Sequence, residues 1–185
     1  MEGRILKTEF FQRGTLTVAR QLLGKHLVAS LNGKEVALPI TEVEAYDGPK
    51  DRACHAHRGR TPRNAVMFGA PGVWYVYLCY GVHWLLNIVT GPESYPAAVL
   101  VRGAGHVSGP GRLTRFVGIT RDQDRRPAHP ATGLWVEDRG LRVPRREIER
   151  TPRIGIGYAG PVWSEKPFRY VWTPQPKSTP KQKRG

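Results

Sequence analysis

The stretch VWYVYLCYGVHWLLNIVT, residues 73–90, predicts a β-hairpin, and this hairpin decides the class of fold. Val73–Tyr80 and Val82–Thr90 are both rich in β-branched and aromatic residues, and Gly81 separates them at the expected bend. Tyr80 comes just before that bend, so its ring is expected to project from the tip. We therefore expect a protruding hairpin attached to a larger sheet.

Further strands and two short helices are predicted on either side of this hairpin. The strands are predicted at His26–Leu31, Glu35–Tyr46, Ala97–Arg102, Leu134–Glu137, Ile154–Tyr158 and Phe168–Val171, and the helices at Thr15–Leu23 and Pro110–Ile119. Asn32-Gly33 between the first two strands is a strong signal for a two-residue turn. The fold class is therefore α+β, a single domain with a central antiparallel or mixed β-sheet, surrounding short helices and a protruding β-hairpin.

The chain has the length of one ordinary domain and many turn-forming residues. It contains 185 residues, of which 21 are Gly and 16 are Pro, so long helices are not expected to dominate. No repeat or change of composition divides it, and residues 1–172 are expected to form one domain. In residues 173–185 Pro, Lys, Gln and Ser dominate, and we expect a disordered basic tail there.

Two features argue against secretion and membrane insertion. Residues 1–11 are charged and lack an apolar leader core, and no run approaches the ~20 apolar residues of a membrane span. Cys54 and Cys79 form no CxxC pair, so a four-cysteine metal site is excluded and both are expected to be reduced thiols. We expect a soluble intracellular protein without membrane contact, in the cytoplasm or nucleoid of a bacterium or otherwise in a nucleus.

Charge gives the first indication of a partner. Lys and Arg number 29 against 15 acidic residues, which gives a formal net charge of +14. The arginines are spread along the chain, and the guanidinium fork matches phosphate oxygens. No basic amphipathic helix stands out, which favours nucleic acid over a membrane surface. Charge alone does not distinguish an enzyme from a ribosomal-type binding protein.

A strand end that carries carboxylates is the first candidate for chemistry. In residues 41–46, alternation places Glu42, Glu44 and Tyr46 on one side of the strand. A carboxylate at a strand end is a candidate general base, although an isolated Glu more often belongs to a solvated face. Paired carboxylates also suggest a sugar hydrolase, but two on one strand are poorly placed to flank a bond.

Aromatic and cationic side chains form two further candidate surfaces. The rigid ring of Tyr80 at a hairpin tip suits wedging into a base stack, although an edge aromatic in a minor cluster is a common alternative. The segment 55–64 supplies donors for phosphate oxygens, namely Arg58, Arg60, Thr61 and Arg63. His55 and His57 lack an evident third ligand, so no metal site is predicted.

Several short stretches in a fixed order resemble the alkyladenine (3-methyladenine) DNA glycosylase family of the mammalian type. They are Glu44-Ala45-Tyr46, Thr61-Pro62-Arg63-Asn64, Met67-Phe68, Tyr75-Val76-Tyr77, Tyr80-Gly81, Asn87, Val99–Arg102, Ser108-Gly109-Pro110 and Arg153–Gly157. The resemblance extends over nearly the whole chain. It implies a monofunctional hydrolase of base excision repair that flips alkylated or deaminated purines out of duplex DNA and hydrolyses the N-glycosidic bond. The lesions of this class are 3-methyladenine, 7-methylguanine, hypoxanthine and ethenoadenine.

The resemblance implies catalytic roles for three residues. Glu44 matches the family's general base, and Arg102 matches a residue that helps to hold the attacking water. Ile156 aligns with an apolar residue whose backbone carbonyl also touches that water. The family needs no metal and no organic cofactor, and it attacks with water instead of an amine. Lyase activity is therefore not expected.

The resemblance also implies a pocket for the flipped base. Tyr46 and His55 match residues on one side of the base, and Tyr77 matches the ring on the other side. Asn87 matches a residue that crowds the exocyclic amine of guanine. Tyr80 matches the side chain that fills the gap left in the duplex.

The expected partner is double-stranded DNA that contains a damaged purine, bound by a monomer. Contacts with the DNA backbone or the opposite strand are expected at Arg58, Arg60, Thr61, Arg63, Met67 and Arg112. The alternative is a non-catalytic nucleic-acid-binding protein, which would explain the charge and the exposed aromatics. It would not explain why Glu44, Asn87 and Arg102 occur in the family's order.

Overall fold

The computed structural model describes residues 3–31 and 33–174. In these residues the strands are β1 Arg4–Ile5, β2 His26–Leu31, β3 Lys34–Asp47, β4 Trp74–Cys79, β5 His83–Val89, β6 Ala97–Ala104, β7 Val107–Ser108, β8 Leu134–Asp138, β9 Ile148–Thr151 and β10 Arg169–Trp172. The helices are α1 Thr8–Phe11, α2 Thr15–Leu22, α3 Pro110–Val117 and α4 Pro161–Ser164. Within the same ranges no helix is long and apolar enough to cross a membrane. The predicted tail lies outside the described residues from position 175 onwards.

An antiparallel sheet in the order β1-β8-β2-β3-β6-β5-β4 forms the centre of the fold. Its longest strand is β3, whose 14 residues have different partners along their length. The first half of β3 pairs with β2, and the second half lies between β6 and β10. The register shifts on either side of Glu42, where β3 changes partners. The predicted α+β fold with an antiparallel sheet and short helices is confirmed.

Helices α2 and α3 cover one face of this sheet and leave the other face for the site. Val18 and Leu22 of α2 and Leu113 of α3 are buried in the same hydrophobic cluster as Val43 of β3. Burial of these apolar side chains supplies the main stabilisation of the domain, since each contributes roughly 1.5–3 kcal/mol. Because strand side chains alternate, the neighbouring Glu44 points to the opposite face.

Both predicted hairpins are present. Leu31 pairs with Lys34, so two residues connect β2 and β3 as predicted, of which Asn32 lies outside the described residues. Cys79 pairs with His83, so a three-residue turn connects β4 and β5.

The predicted strand over 154–158 is wrong. The strand of this region is β9, which ends at Thr151, and a 3-10 helix covers Gly157–Ala159. Gly155 has a φ of 76°, a left-handed conformation that interrupts an extended chain. The apolar residues that suggested a strand therefore belong to a loop, and this loop brings the backbone of Ile154 to the site.

Candidate active site

An open cleft of about 1490 Å³ lies against the sheet face that carries Glu44. Its walls are formed by β3 to β6, the segment 52–67, the tip of the β4–β5 hairpin, the start of α3 and the loop 154–160. The cleft is larger than the roughly 300–1,000 Å³ of a usual small-molecule pocket. Its size and openness suit a groove that receives part of a macromolecule.

Glu44 lines the inner wall of the cleft and has no exposed surface. Its strand neighbours Val43 and Ala45 pack into the core on the other face. The Tyr46 hydroxyl donates to Glu44 Oε2 at 2.9 Å, and the Ile154 backbone N–H donates to Oε1 at 2.8 Å. The prediction that Glu44 and Tyr46 share one side of the strand is confirmed.

Burial makes this carboxyl more basic than an ordinary glutamate. It raises the pKa of Glu44, although Arg102, the Ile154 N–H, the Tyr46 hydroxyl and Arg153 act in the opposite direction. Burial and the adjacent Glu44 charge also raise the pKa of Tyr46 well above its usual value, so Tyr46 keeps its proton and donates. A carboxylate with a raised pKa is suited to take a proton from water near neutral pH.

Arg102 on β6 connects this carboxylate with a second one. Its Nε donates to Glu42 Oε1 at 2.7 Å, while its Nη1 lies 3.4 Å from Glu44 Oε1. Burial acts to raise the pKa of Glu42, but hydrogen bonds from Arg169 and Arg102 outweigh it and lower that pKa. The two carboxylates on one strand face therefore differ, with Glu42 firmly ionised and Glu44 the stronger base.

A buried ion pair that the sequence analysis missed supports the same wall. Arg153 donates through Nη1 and Nη2 to the two carboxylate oxygens of Asp51, at 2.5 and 2.8 Å. The Asp51 carboxylate also accepts the backbone N–H groups of Asp47 and Ala53. The guanidinium carbon lies 4.8 Å from the centre of the Tyr46 ring. The pair thus holds the turn after β3 and the loop after β9 together behind Tyr46.

Aromatic rings line the cleft beside Glu44. His55 Nδ1 shares a hydrogen bond of 2.9 Å with the Tyr75 hydroxyl, and its ring meets the Tyr77 ring edge-on with centroids 4.7 Å apart. Tyr46 and Tyr77 pack against the same cluster of buried residues. Partial desolvation by the surrounding side chains, together with the Arg63 charge, lowers the pKa of His55 and favours the neutral ring.

The contact between His55 and Tyr77 bears on how a base would sit. Because the two rings are in contact, a base cannot lie between them in this arrangement. The resemblance, in contrast, implies a base held between His55 and Tyr77. The hydrogen bond to Tyr75 holds His55 in that place. Tyr75 therefore belongs to the site, although the sequence analysis assigned it no role.

Asn87 on β5 lines the cleft and is buried. Its side-chain NH₂ donates to the backbone carbonyls of Tyr75 at 3.1 Å and Leu85 at 3.4 Å. Two bonds to neighbouring backbone hold the amide in one place, so it can act as a rigid wall toward a bound molecule.

Tyr80 occupies the tip of the β4–β5 hairpin and is 92% exposed. Its φ of 50° is left-handed, which is uncommon for a tyrosine. Leu78 and Val82 beside it are exposed as well, at 39% and 65%. The tip therefore projects as an exposed, largely apolar surface at the edge of the cleft.

Two residues were expected to hold the attacking water, Arg102 and Ile156, and they differ in their position relative to Glu44. Arg102 lies beside Glu44 as described above. Ile156 is buried and lines the cleft, but its carbonyl already accepts the Ala159 N–H at 2.9 Å. The group from this loop that reaches Glu44 directly is the Ile154 N–H, which the sequence analysis did not single out.

The residues expected to contact the DNA backbone divide into three groups. Arg58, Arg63 and Arg112 are exposed and line the cleft, where Arg52 and Arg115 join them. Arg60 and Thr61 are exposed but lie outside the cleft lining of the described residues. Met67 is 2% exposed and packs with the aromatic cluster, so its side chain forms an inner wall and is not available to a phosphate.

The two histidines of the segment 55–64 engage separate partners. His57 Nδ1 shares a hydrogen bond of 2.8 Å with the Pro49 carbonyl, away from the bond that His55 makes. In the part of the chain that the structure describes, no three His, Cys, Asp or Glu side chains cluster in a way that could hold a metal ion.

Three bacterial proteins are similar to this chain over most of its length. A protein of Anaeromyxobacter dehalogenans strain 2CP-C is 46% identical over 173 residues, which cover 90% of this chain and 82% of the relative. A protein of Psychrobacter cryohalolentis is 38% identical over an alignment of 207 positions, which covers 96% of this chain and 96% of the relative. One of Myxococcus xanthus is 44% identical over 176 residues, which cover 90% and 89%.

All three relatives are named provisionally as 3-methyladenine DNA glycosylases. They come from bacteria, so the mammalian type expected from the resemblance is not supported. The family model described as methylpurine-DNA glycosylase (MPG) matches residues 9–108 and 104–176, most of the chain. The chain therefore belongs to the methylpurine-DNA glycosylase family.

Proposed function

We propose that this chain hydrolyses the N-glycosidic bond of alkylated or deaminated purines in duplex DNA, as a monomer and without lyase activity. The observation that carries the proposal is the buried Glu44 carboxylate at the inner wall of an open cleft rimmed by arginines. Arginines at the rim can bind phosphates, while the interior acts on the extruded nucleotide. The proposed substrates are 3-methyladenine, 7-methylguanine, hypoxanthine and ethenoadenine.

The hairpin tip and the aromatic wall support extrusion of the base. Rotating a nucleotide out of the duplex costs a few kcal/mol, and less where the pair is damaged. Tyr80, which is 92% exposed, is placed to fill the gap. A base that enters the cleft can stack on Tyr46 or Tyr77, which contributes about 1–3 kcal/mol. A cationic alkylated purine gains further from the electron-rich ring faces.

In the proposed reaction Glu44 accepts a proton from water while that water attacks C1′ of the sugar. The C1′–N9 bond breaks, and its electron pair leaves with the purine. A cationic methylated purine departs as a neutral molecule, whereas hypoxanthine needs a proton, such as one on N7. The Glu44 charge also stabilises the positive charge that develops on the sugar. Arg102 is close enough to help orient the water.

Absence of lyase activity is proposed from the side chains that line the cleft. A glycosylase with lyase activity attacks C1′ with an amine and forms a Schiff base. Among the described residues no lysine lines the cleft. Water activated by Glu44 is therefore the proposed nucleophile.

The test is base release from a duplex that carries one hypoxanthine, followed by alkali, under single-turnover conditions. We expect the wild-type protein to release the base, and Glu44→Gln to lose roughly 10²-fold or more in rate while its affinity for DNA stays within a few-fold. Glu137→Gln is the control, because Glu137 is also a buried glutamate, at 8% exposed, and does not line the cleft. Strands left intact by the wild-type protein would favour a non-catalytic binder. A near wild-type rate in Glu44→Gln would remove Glu44 from the role of base.

A further inference from the structure

Two carboxylates share the Arg102 guanidinium, and only one holds it closely. The contact with Glu42 measures 2.7 Å, and the contact with Glu44 measures 3.4 Å. The side chains of Arg102 and Glu42 are 12% and 10% exposed, so water cannot readily replace either partner. Within the described residues Glu42 is not part of the cleft lining, and it is therefore not placed to touch a substrate.

We propose that Glu42 is a positioning residue that keeps Arg102 from forming a two-bond ion pair with Glu44. The proposal rests on the function proposed above for Glu44. A guanidinium binds a carboxylate most strongly through two parallel N–H groups. Here Glu42 occupies the Nε–H of Arg102, and Glu44 is left with a single long contact. Each Glu44 oxygen thus accepts one hydrogen bond, from the Ile154 N–H or the Tyr46 hydroxyl, and keeps a lone pair with which to accept from a water molecule.

Glu42 can act in this way because a second arginine anchors it. Arg169 on β10 donates from Nε to the same Oε1 of Glu42 at 2.7 Å, and from Nη1 to Thr151 Oγ1 at 3.0 Å. Arg169 stands opposite Glu44 in the strand register, yet its guanidinium turns to Glu42. Glu42 is thus held between β6 and β10 and cannot follow Arg102 toward the cleft.

Removal of the Glu42 charge has a definite consequence for Glu44. The polar groups that face the Glu44 carboxyl are the Tyr46 hydroxyl, the guanidiniums of Arg102 and Arg153, and the Ile154 N–H. Arg153 is engaged by Asp51, so Arg102 is the cation that is free to move closer once Glu42 is neutral. Both its approach and the loss of a neighbouring negative charge lower the pKa of Glu44. Glu44 becomes a weaker base.

The experiment compares Glu42→Gln with Glu137→Gln. The rate of 7-methylguanine release in single turnover is followed across pH, because the fixed charge of this lesion makes protonation of the base unnecessary. We expect the acid limb of the profile to move to lower pH by about one unit in Glu42→Gln, with a lower plateau. Glu137→Gln, which removes an equally buried carboxylate outside the cleft, should leave the limb in place.

A carbon-13 NMR titration of the Glu44 carboxyl in the free protein measures the shift of the Glu44 pKa without turnover. Glu42→Asp serves as a second variant, since it keeps the charge but withdraws the anchor, and a smaller shift in the same direction is expected. A lower plateau with an unmoved acid limb, or a limb moved to higher pH, would overturn the positioning role and leave only a structural one. Failure of Glu44→Gln to lose activity would instead remove Glu44 from the role of base, and absence of base release by the wild-type protein would overturn the proposed function itself.

Discussion

The Glu44 carboxyl shows how the role of base proposed for it opposes stability at a single position. Its pKa is raised by burial, so the folded protein binds this proton more tightly than the unfolded chain does. Below the ordinary pKa of glutamate the group is neutral in both states and has no effect on the free energy of unfolding. As pH rises through the folded pKa, the buried charge lowers that free energy.

Glu44→Gln should therefore gain stability relative to the wild-type protein between about pH 4 and about pH 8. Urea denaturation of both proteins at the two pH values measures the difference. Glu137→Gln should move the opposite way, because hydrogen bonds from Trp135 and Arg139 outweigh burial and lower the pKa of Glu137. A constant difference between Glu44→Gln and the wild-type protein across pH would contradict the raised pKa.

Asn87 offers a test of selectivity between guanine and hypoxanthine. Its amide is held by two backbone carbonyls and lines the cleft, so it can exclude the 2-amino group that distinguishes guanine from hypoxanthine. Asn87→Ser opens that space, and we expect guanine release to rise relative to hypoxanthine release by about tenfold or more. Release of both bases is measured with one preparation of the variant, on mismatched duplexes. An equal fall for both bases would mean that Asn87 only ties β5 to its neighbours.

At the tip of the β4–β5 hairpin, the role proposed for Tyr80 can be tested separately from the stability of the fold. Tyr80 is 92% exposed and has a left-handed φ, so removing its ring loses little packing and glycine fits the backbone better. We expect Tyr80→Gly to keep its melting temperature while it releases hypoxanthine more slowly from duplex DNA. Release from single-stranded DNA should change much less, because no gap has to be filled. Equal losses on both substrates would contradict a wedge at this tip.

Elements with a regular alternation of apolar and polar residues could be predicted from the sequence. Parts of the site that depend on contacts between residues far apart in the chain could not. Alternation along β3 was enough to place Glu44 and Tyr46 on one face, and Asn32-Gly33 was enough to predict the β2–β3 turn. The apolar residues of the loop 154–158 are equally typical of a strand. Only the structure reveals that the backbone N–H of Ile154 points to Glu44. The pair of Arg153 and Asp51 joins positions 102 residues apart, and one sequence holds no signal for such a partner.

At the scale of the whole described domain, exposed arginines lie at the rim of the cleft and buried carboxylates lie behind its inner wall. The net charge is +14, yet the carboxylates of Glu42, Glu44 and Asp51 are buried behind the cleft and each is paired with an arginine or a backbone donor. A polyanion is thus attracted to the rim without meeting exposed carboxylates in the inner wall. Under the proposed function, this separation would let one small domain attract DNA and still keep a basic carboxylate next to the sugar.

This arrangement predicts which arginines govern the salt dependence of DNA binding. Each phosphate neutralised by the protein contributes about −0.9 to the slope of log affinity against log salt concentration. Arg112→Gln and Arg63→Gln, at the cleft rim, should each make the slope shallower by roughly that amount.

Arg145→Gln is the matched control, because Arg145 lines a separate smaller cavity and not the cleft. Fluorescence anisotropy with an undamaged duplex at several salt concentrations gives the slopes. If Arg145→Gln changed the slope as much as the rim variants, DNA would have to bind across another face of the protein. If no variant changed it, the cleft rim would not be the phosphate-binding surface.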